Sequence, residues 1–234
     1  MNIHENLLRV RERIAAAANR ARRNPEEITL IAVSKTHPAE AIREAFDAGL
    51  RDFGENRVQE WEGKWGAVAN LPAKWHLIGH LQSNKAGKAA KFFHAIDSVD
   101  DFALAQKLAR AKSEFLGGGK LRVLIEVHLG GEETKSGVAE SELTELAEKI
   151  CGVAELDLAG LMCIPPYLED VDKVRPYFAH LRELREQLRS RLGLELPVLS
   201  MGMSHDFEAA ILEGATEVRV GTAIFGARAV AGQV

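Results

Sequence analysis

The pattern of apolar and polar positions changes repeatedly along the chain, from short strand-like runs to longer segments with helical spacing and back. Residues 3–23 carry apolar side chains at helical spacing. Eight short apolar runs follow, and a helical pattern comes after each of the first seven. The predicted strands are 28–34, 52–54, 74–78, 95–99, 122–127, 156–162, 197–199 and 217–220. The predicted helices between them are 38–48, 57–68, 84–93, 101–115, 139–151, 170–191 and 205–213.

This order of elements is that of a (β/α)8 barrel. The runs 30–33 and 123–125 are apolar on both faces, as expected for parallel strands covered by helices. A doubly wound open sheet is the competing architecture, and it normally has a Gly-rich turn after its first strand. The corresponding turn at 34–38 contains no glycine. The sequence therefore predicts an α/β chain that folds as a single (β/α)8 TIM barrel over residues 1–234, with an extra N-terminal helix.

The composition and charge of the chain bear on its binding partners and on its compartment in the cell. The chain is 46% hydrophobic and 27% charged, and its formal net charge of −4 argues against nucleic acid as the main partner. The N-terminus lacks a basic region followed by an apolar stretch, and no apolar run has the length of a membrane span. We therefore expect the cytoplasm as the compartment and no membrane partner. Two cysteines, Cys151 and Cys163, make neither a disulfide framework nor a tetrahedral metal site.

Lys35 lies at the C-terminal tip of the first predicted strand, directly before a helix start at 37–40. In alternating strand–helix barrels, that end of the strands carries the active site. A partly desolvated lysine amine there is a candidate for Schiff-base chemistry with an aldehyde or ketone. For Lys35 taken alone, the alternative is a surface lysine that extends from a strand end into solvent.

The loops after the last two predicted strands are rich in glycine and in hydroxyl groups, at a position where barrels often bind phosphate. Hydroxyl groups donate to phosphate oxygens, and glycines let backbone amides approach an anion closely. Ser204 is also the predicted N-cap of the helix 205–213. For each residue alone, an ordinary cap or turn is the alternative. The residues concerned are Ser200, Gly202, Ser204, Gly221 and Thr222.

Arg219 is a charged residue inside the apolar last strand, and a buried guanidinium needs a partner. If it points inward, a ligand phosphate or ring nitrogen would serve; if it points outward, a helix carboxylate would. A lysine able to form an imine and a phosphate-binding site on the same face suggest pyridoxal phosphate. A class I aldolase-like enzyme would use the same two features on a phosphorylated sugar.

Six stretches of the chain together resemble one known family, the pyridoxal phosphate homeostasis proteins of the YggS/PROSC type, and the resemblance covers nearly the whole chain. Two motifs are highly specific in combination: Ser-Met-Gly-Met-Ser at 200–204 and Arg-x-Gly-x-x-Ile-Phe-Gly at 219–226. His128 is a departure, because the family usually has asparagine there. The stretches are 32–35, 53–60, 75–85, 160–162, 200–204 with Asp206, and 218–226.

The resemblance implies a barrel similar to the N-terminal domain of alanine racemase, without the β domain. It implies that Lys35 holds pyridoxal 5'-phosphate as an internal aldimine, with Asn56 and Met162 beside the ring. Arg219 would lie near the ring nitrogen or the phosphate. The phosphate-binding positions would be Ser200, Ser204, Gly221 and Thr222.

The same resemblance implies a role in binding and delivering the cofactor. The family acts in intracellular pyridoxal phosphate (vitamin B6) homeostasis, without robust enzymatic turnover. Apo-enzymes that receive the cofactor are the implied partners, and we expect a monomer or weak dimer.

A pyridoxal-phosphate-dependent amino-acid racemase is the alternative function. A racemase needs an acid–base group on each face of its substrate, and Lys35 would serve one face. The sequence offers no clear group for the other, because Tyr167 and Tyr177 flank the sixth helix and Cys163 lies deep in the sixth strand. The pair His76 and His80 lacks a carboxylate in its pattern, so we expect no metal.

Overall fold

Eight parallel strands close into a barrel in chain order, in a computed structural model that describes residues 2–114, 119–130 and 136–226. The barrel closes where the first strand pairs in parallel with the eighth. This confirms the predicted (β/α)8 TIM barrel. The strands are β1 Thr29–Val33, β2 Asp52–Glu55, β3 Lys74–Leu77, β4 Ala95–Val99, β5 Leu121–Glu126, β6 Leu156–Met162, β7 Val198–Met203 and β8 Glu217–Val220.

Helices surround the barrel and connect its strands. Short 3₁₀ turns precede β1, α4 and α7. Among the described residues, no helix combines the length and apolar character needed to cross a membrane. The helices are α1 Ile3–Arg20, α2 Ala39–Asp47, α3 Val58–Val68, α4 Ala86–Phe92, α5 Phe102–Ser113, α6 Glu140–Cys151, α7 Arg175–Leu192, α8 Phe207–Leu212 and α9 Thr222–Phe225.

The extra N-terminal helix, α1, is present as predicted and packs against α8 and α9. It begins after Asn2, whose side chain accepts a hydrogen bond from the backbone N–H of His4 and so caps the first turn. Its apolar face is buried, and the Asn6 side-chain amide donates to the carbonyl of Ile224 at 2.9 Å. The helix therefore supports α9, the element directly after β8.

The bounds of β7 and α8 differ from those predicted from the sequence. The predicted strand 197–199 extends to Met203, because the hydroxyl- and glycine-containing segment that follows is buried strand. Gly202 has a φ of 92°, and a Cβ there would lie 2.6 Å from the Cβ of Ala210. The predicted N-cap role of Ser204 is wrong, since α8 begins at Phe207 with Asp206 at the N-cap position.

Charged side chains fill the interior of the barrel at the N-terminal ends of the strands. The ring nitrogens of His76 each lie 3.2 Å from a carboxylate oxygen, Asp97 on one side and Asp52 on the other. Burial lowers the pKa of His76, but these carboxylates outweigh it and raise the pKa to about 9. Arg122 donates to Glu217 at 2.6 Å. The local sequence around His76 has no carboxylate, and its partners Asp52 and Asp97 come from other strands.

Candidate functional site

A cavity of about 410 Å³ opens at the C-terminal ends of the strands, within the range of small-molecule sites. Six of the eight residues that the sequence singled out lie in its wall. They are Lys35, Asn56, Ser204, Arg219, Gly221 and Thr222. The rest of the wall is formed by Val33, Ile78, Gly79, His80, Ile164, Met203 and His205.

Lys35 follows β1 by two residues and is half-buried in the cavity wall. The turn that carries it is tied to the barrel through Ser34, which is fully buried. The Ser34 backbone N–H donates to the carbonyl of Gly54 at 3.0 Å, and its hydroxyl donates to Glu55 Oε1 at 2.7 Å. Lys35 therefore lies in the wall of the cavity, at the end of β1.

Ser204 and Thr222 place hydroxyl groups on one side of the cavity. Ser204 follows β7, and its Oγ accepts the backbone N–H of Gly221 at 3.2 Å. This bond joins the loops after β7 and β8, and it leaves the Ser204 hydroxyl proton for another acceptor. Thr222 is the exposed first residue of α9. An anion on this side of the cavity would therefore find two hydroxyl donors.

Arg219 points into the barrel and is 3% exposed. Its Nη1 donates to Ser200 Oγ and its Nη2 donates to the carbonyl of Cys163, both at 2.8 Å. The inward orientation is therefore the one that the structure has. Within the described residues, no carboxylate lies at ion-pair distance from Arg219. The part of the guanidinium that lines the cavity is positive and can only donate hydrogen bonds.

Ser200 and Met162 are not part of the cavity wall. Both are fully buried. Ser200 supports the Arg219 guanidinium from within β7, and Met162 packs in a small apolar cluster with Leu124 and Ala159. The sequence patterns for these residues indicate the correct strands, β7 and β6, but both side chains are buried among other residues and do not face the cavity.

Gly79 is a wall residue that the sequence reasoning did not single out. A Cβ at this position would lie 2.5 Å from the carbonyl oxygen of Asn56. The loops after β2 and β3 thus approach each other so closely that only glycine fits. Its own carbonyl accepts the Ser98 hydroxyl at 2.7 Å. Gly79 thus allows the loop that carries Asn56 to lie against the loop after β3.

Two imidazoles, His80 and His205, line the cavity and are exposed. His80 Nδ1 lies 3.4 Å from Asp100, and burial raises the pKa of that carboxyl. The His205 ring lies against Tyr167, with centroids 5.0 Å apart. His205 was missed, although it follows β7 on the active-site face, because it was assigned to a helix.

The residues considered for a second acid–base group are not in the wall. Tyr167 is 72% exposed outside the cavity, and Tyr177 packs against the apolar core. Cys163 is fully buried, and burial raises its pKa to about 12. Its thiol is therefore protonated at neutral pH.

Three charged residues that were given no role from the sequence contact the turn that carries Lys35: Glu55, Glu60 and Lys64. Lys64 Nζ donates to the Ser34 carbonyl at 3.0 Å and lies 3.0 Å from Glu55 Oε1 and 2.9 Å from Glu60 Oε1. The i, i+4 spacing of Glu60 and Lys64 in the sequence is typical of an ion pair on one face of a helix. Their approach to β1 depends on the tertiary fold.

Comparisons with known proteins agree with this geometry. Residues 6–229 match the family model described as the N-terminal domain of alanine racemase. A protein of Aquifex aeolicus (strain VF5) named pyridoxal phosphate homeostasis protein is 49% identical over 228 residues, which are 97% of this chain and 99% of that protein.

Solved structures also match. The structure of PipY from Synechococcus elongatus PCC7942, with PLP bound, is 40% identical with a TM-score of 0.85, and the match covers 96% of this chain and all of PipY. Alanine racemase from Clostridium difficile 630 matches with a TM-score of 0.74 at 17% identity, over 95% of this chain and 56% of the racemase. At that identity, the racemase shows the fold alone.

Proposed function

The chain belongs to the family of the alanine racemase N-terminal domain, together with the pyridoxal phosphate homeostasis proteins, and we propose that it binds pyridoxal 5'-phosphate covalently through Lys35. The sequence-based assignment to this family is confirmed. One observation carries the proposal: a half-buried lysine and two hydroxyl groups face the same cavity from different strands. PipY, which was solved with PLP bound, supports the choice of cofactor.

The donor set in the wall fits a phosphorylated aldehyde. When bound, pyridoxal phosphate supplies an aldehyde that condenses with a primary amine. Lys35 offers that amine, and the hydroxyls of Ser204 and Thr222 offer donors for phosphate. Among the residues that the structure describes, the wall contains no Asp or Glu that would repel the phosphate.

Arg219 lies deeper in the barrel than the hydroxyl groups do. It pairs with Ile31 across the β1–β8 ladder, four residues before Lys35, whereas Thr222 follows β8 at the rim. We therefore assign Arg219 to the ring nitrogen, and Asn56 to the wall beside the ring. A guanidinium never gives up its proton at neutral pH, so Arg219 would keep that nitrogen unprotonated.

The role that follows is to hold and release the cofactor in pyridoxal phosphate homeostasis, with apo-enzymes as recipients. An unprotonated ring nitrogen makes the cofactor a poor electron sink, which disfavours turnover of amino acids. The names of the relatives agree with a role of this kind.

An amino-acid racemase is the second candidate, and one observation favours it. His80 and His205 lie in the wall of the same cavity as Lys35, and an imidazole can act as a general acid or base. This function would use one of them opposite Lys35.

Exchange of the α-proton of amino acids in deuterated water, followed by NMR, separates the two functions. The binding function predicts stoichiometric cofactor uptake with negligible exchange for both L- and D-amino acids. Exchange at enzymatic rates that is lost in Lys35→Ala and in His80→Gln or His205→Gln would establish the racemase instead.

A further inference from the structure

The turn that carries Lys35 is held on both sides by one small group of charged side chains. On one side, the Ser34 hydroxyl donates to Glu55 and the Ser34 carbonyl accepts from Lys64. On the other side, the backbone N–H of Thr36 donates to Glu60 Oε1. Both neighbours of Lys35 in the chain are therefore bonded to side chains from β2 and α3.

The backbone of this turn needs such support. Thr36 has a φ of 65°, in the left-handed region that non-glycine residues seldom adopt. A residue in that region is retained when contacts around it over-determine its conformation. The Glu60 bond to the Thr36 N–H is a contact of this type, and it fixes the residue directly after Lys35.

Lys64 connects the parts of the group. Its side chain is only 11% exposed, and its ammonium contacts the Ser34 carbonyl, Glu55 and Glu60. Glu55 is fully buried, with a pKa raised by its burial although Lys64 opposes the shift. Lys64 does not line the cavity, so it is not itself a second amine for the cofactor.

Buried ion pairs such as these contribute little to the stability of the folded protein, because the cost of desolvating the charges offsets their attraction. The location of this group is the informative feature. Its three side chains contact residues 34 and 36, on either side of the amine-bearing residue.

We propose that Lys64, together with Glu55 and Glu60, is a positioning group that sets the direction of the Lys35 amine and thereby the readiness of Lys35 to bond to an aldehyde. This inference rests on the proposed function. It predicts a specific effect: loss of the group impairs the covalent bond and leaves phosphate recognition by Ser204 and Thr222 intact.

Two ligands separate these effects. Pyridoxal 5'-phosphate can bond to Lys35, whereas pyridoxine 5'-phosphate has the same ring and phosphate but an alcohol in place of the aldehyde. Lys64→Met keeps the aliphatic stem and removes the ammonium. The control is Lys88→Met, because Lys88 also pairs with a carboxylate of α3, Glu62, at 2.7 Å, but does not line the cavity.

For Lys64→Met we expect a loss of at least about tenfold in pyridoxal phosphate affinity and in the rate of borohydride trapping, since small misplacements of a reacting group have large effects on rate. Pyridoxine phosphate affinity should stay within about twofold, and Lys88→Met should match the wild type for both ligands. The pH midpoint of the imine absorption band should also shift in Lys64→Met alone.

A second variant tests the same inference if Lys64→Met does not fold. Glu60→Gln, at a partly exposed site, keeps an oxygen for the Thr36 N–H and should lower covalent binding in the same direction by a smaller factor. Unchanged pyridoxal phosphate binding in either folded variant, or an equal loss for both ligands, would overturn the inference. If the wild type forms no bond at Lys35, it is the proposed function that fails.

Discussion

Arg219 donates a hydrogen bond to Ser200 inside the barrel, with 2.8 Å between Nη1 and Oγ, and neither side chain is more than 3% exposed. The serine belongs to β7 and the arginine to β8. A second bond to the carbonyl of Cys163 fixes the guanidinium plane. Two adjacent strands and the end of β6 thus hold one positive group at the base of the cavity.

Ser200→Ala should destabilise the protein more than Ser204→Ala. Removing the Ser200 hydroxyl leaves a buried guanidinium N–H without its acceptor, which costs about 1–3 kcal/mol. Ser204 is half-buried, so its loss should cost less than about 1 kcal/mol. Urea unfolding measures both. Equal losses would show that the Arg219–Ser200 bond contributes little.

Replacing Ser204 and Thr222 together by alanine should weaken pyridoxal phosphate binding far more than pyridoxal binding. Each hydrogen bond to a charged phosphate contributes about 1.5–3 kcal/mol, so loss of the pair should lower the affinity by about a hundredfold or more. Fluorescence titration with both ligands is the measurement, with Ser113→Ala as the control at an exposed helix end. Parallel losses for the two ligands would remove these hydroxyls from the phosphate site.

Gly79→Ala should lower both stability and cofactor affinity. The added Cβ would lie 2.5 Å from the Asn56 carbonyl oxygen, and relief of such a contact by backbone movement costs about 1–3 kcal/mol. Gly63→Ala is the matched control, because Gly63 lies in α3 and a Cβ there would have no heavy atom within 4 Å. This substitution should stabilise the helix by about 0.5–1 kcal/mol. Thermal unfolding of the two variants should therefore shift in opposite directions.

Stability should fall as the pH rises through the pKa of His76. The pKa is raised from 6.5 to about 9 in the folded protein, so the stabilisation is fully present below pH 6.5 and is lost by about pH 9. The shift corresponds to a loss on the order of 3 kcal/mol. Urea unfolding across this range should show the loss in the wild type and not in His76→Gln. A flat profile in the wild type would mean that His76 is neutral throughout.

The sequence allowed the barrel, the extra helix and the position of Lys35 at the end of β1 to be predicted because each depends on local patterns. Apolar runs on both faces mark parallel strands, and the first of them leads directly to Lys35. The full length of β7 could not be predicted, since glycine in a sequence usually indicates a turn. Gly202 is instead required by the close packing of α8, which the sequence does not show. The register of β7 against β8 shifts between Ser200 and Met203, as at a β-bulge.

Contacts between distant segments account for the other differences. Ser200 has the hydroxyl expected at a phosphate site, and only the inward direction of Arg219 shows that it supports the guanidinium. Similarly, Lys64 is 30 residues from Ser34 in the chain, and no periodicity relates them.

Reduction with borohydride in the presence of pyridoxal phosphate, followed by peptide mapping, tests the central claim most directly. The account predicts one cofactor per chain, attached to the peptide that contains Lys35. Lys35→Ala should lose the label and the imine absorption band while it retains weaker binding through the phosphate. Label on Lys64, directly beneath the same turn, or on Lys85, or retention of the label in Lys35→Ala, would contradict the claim.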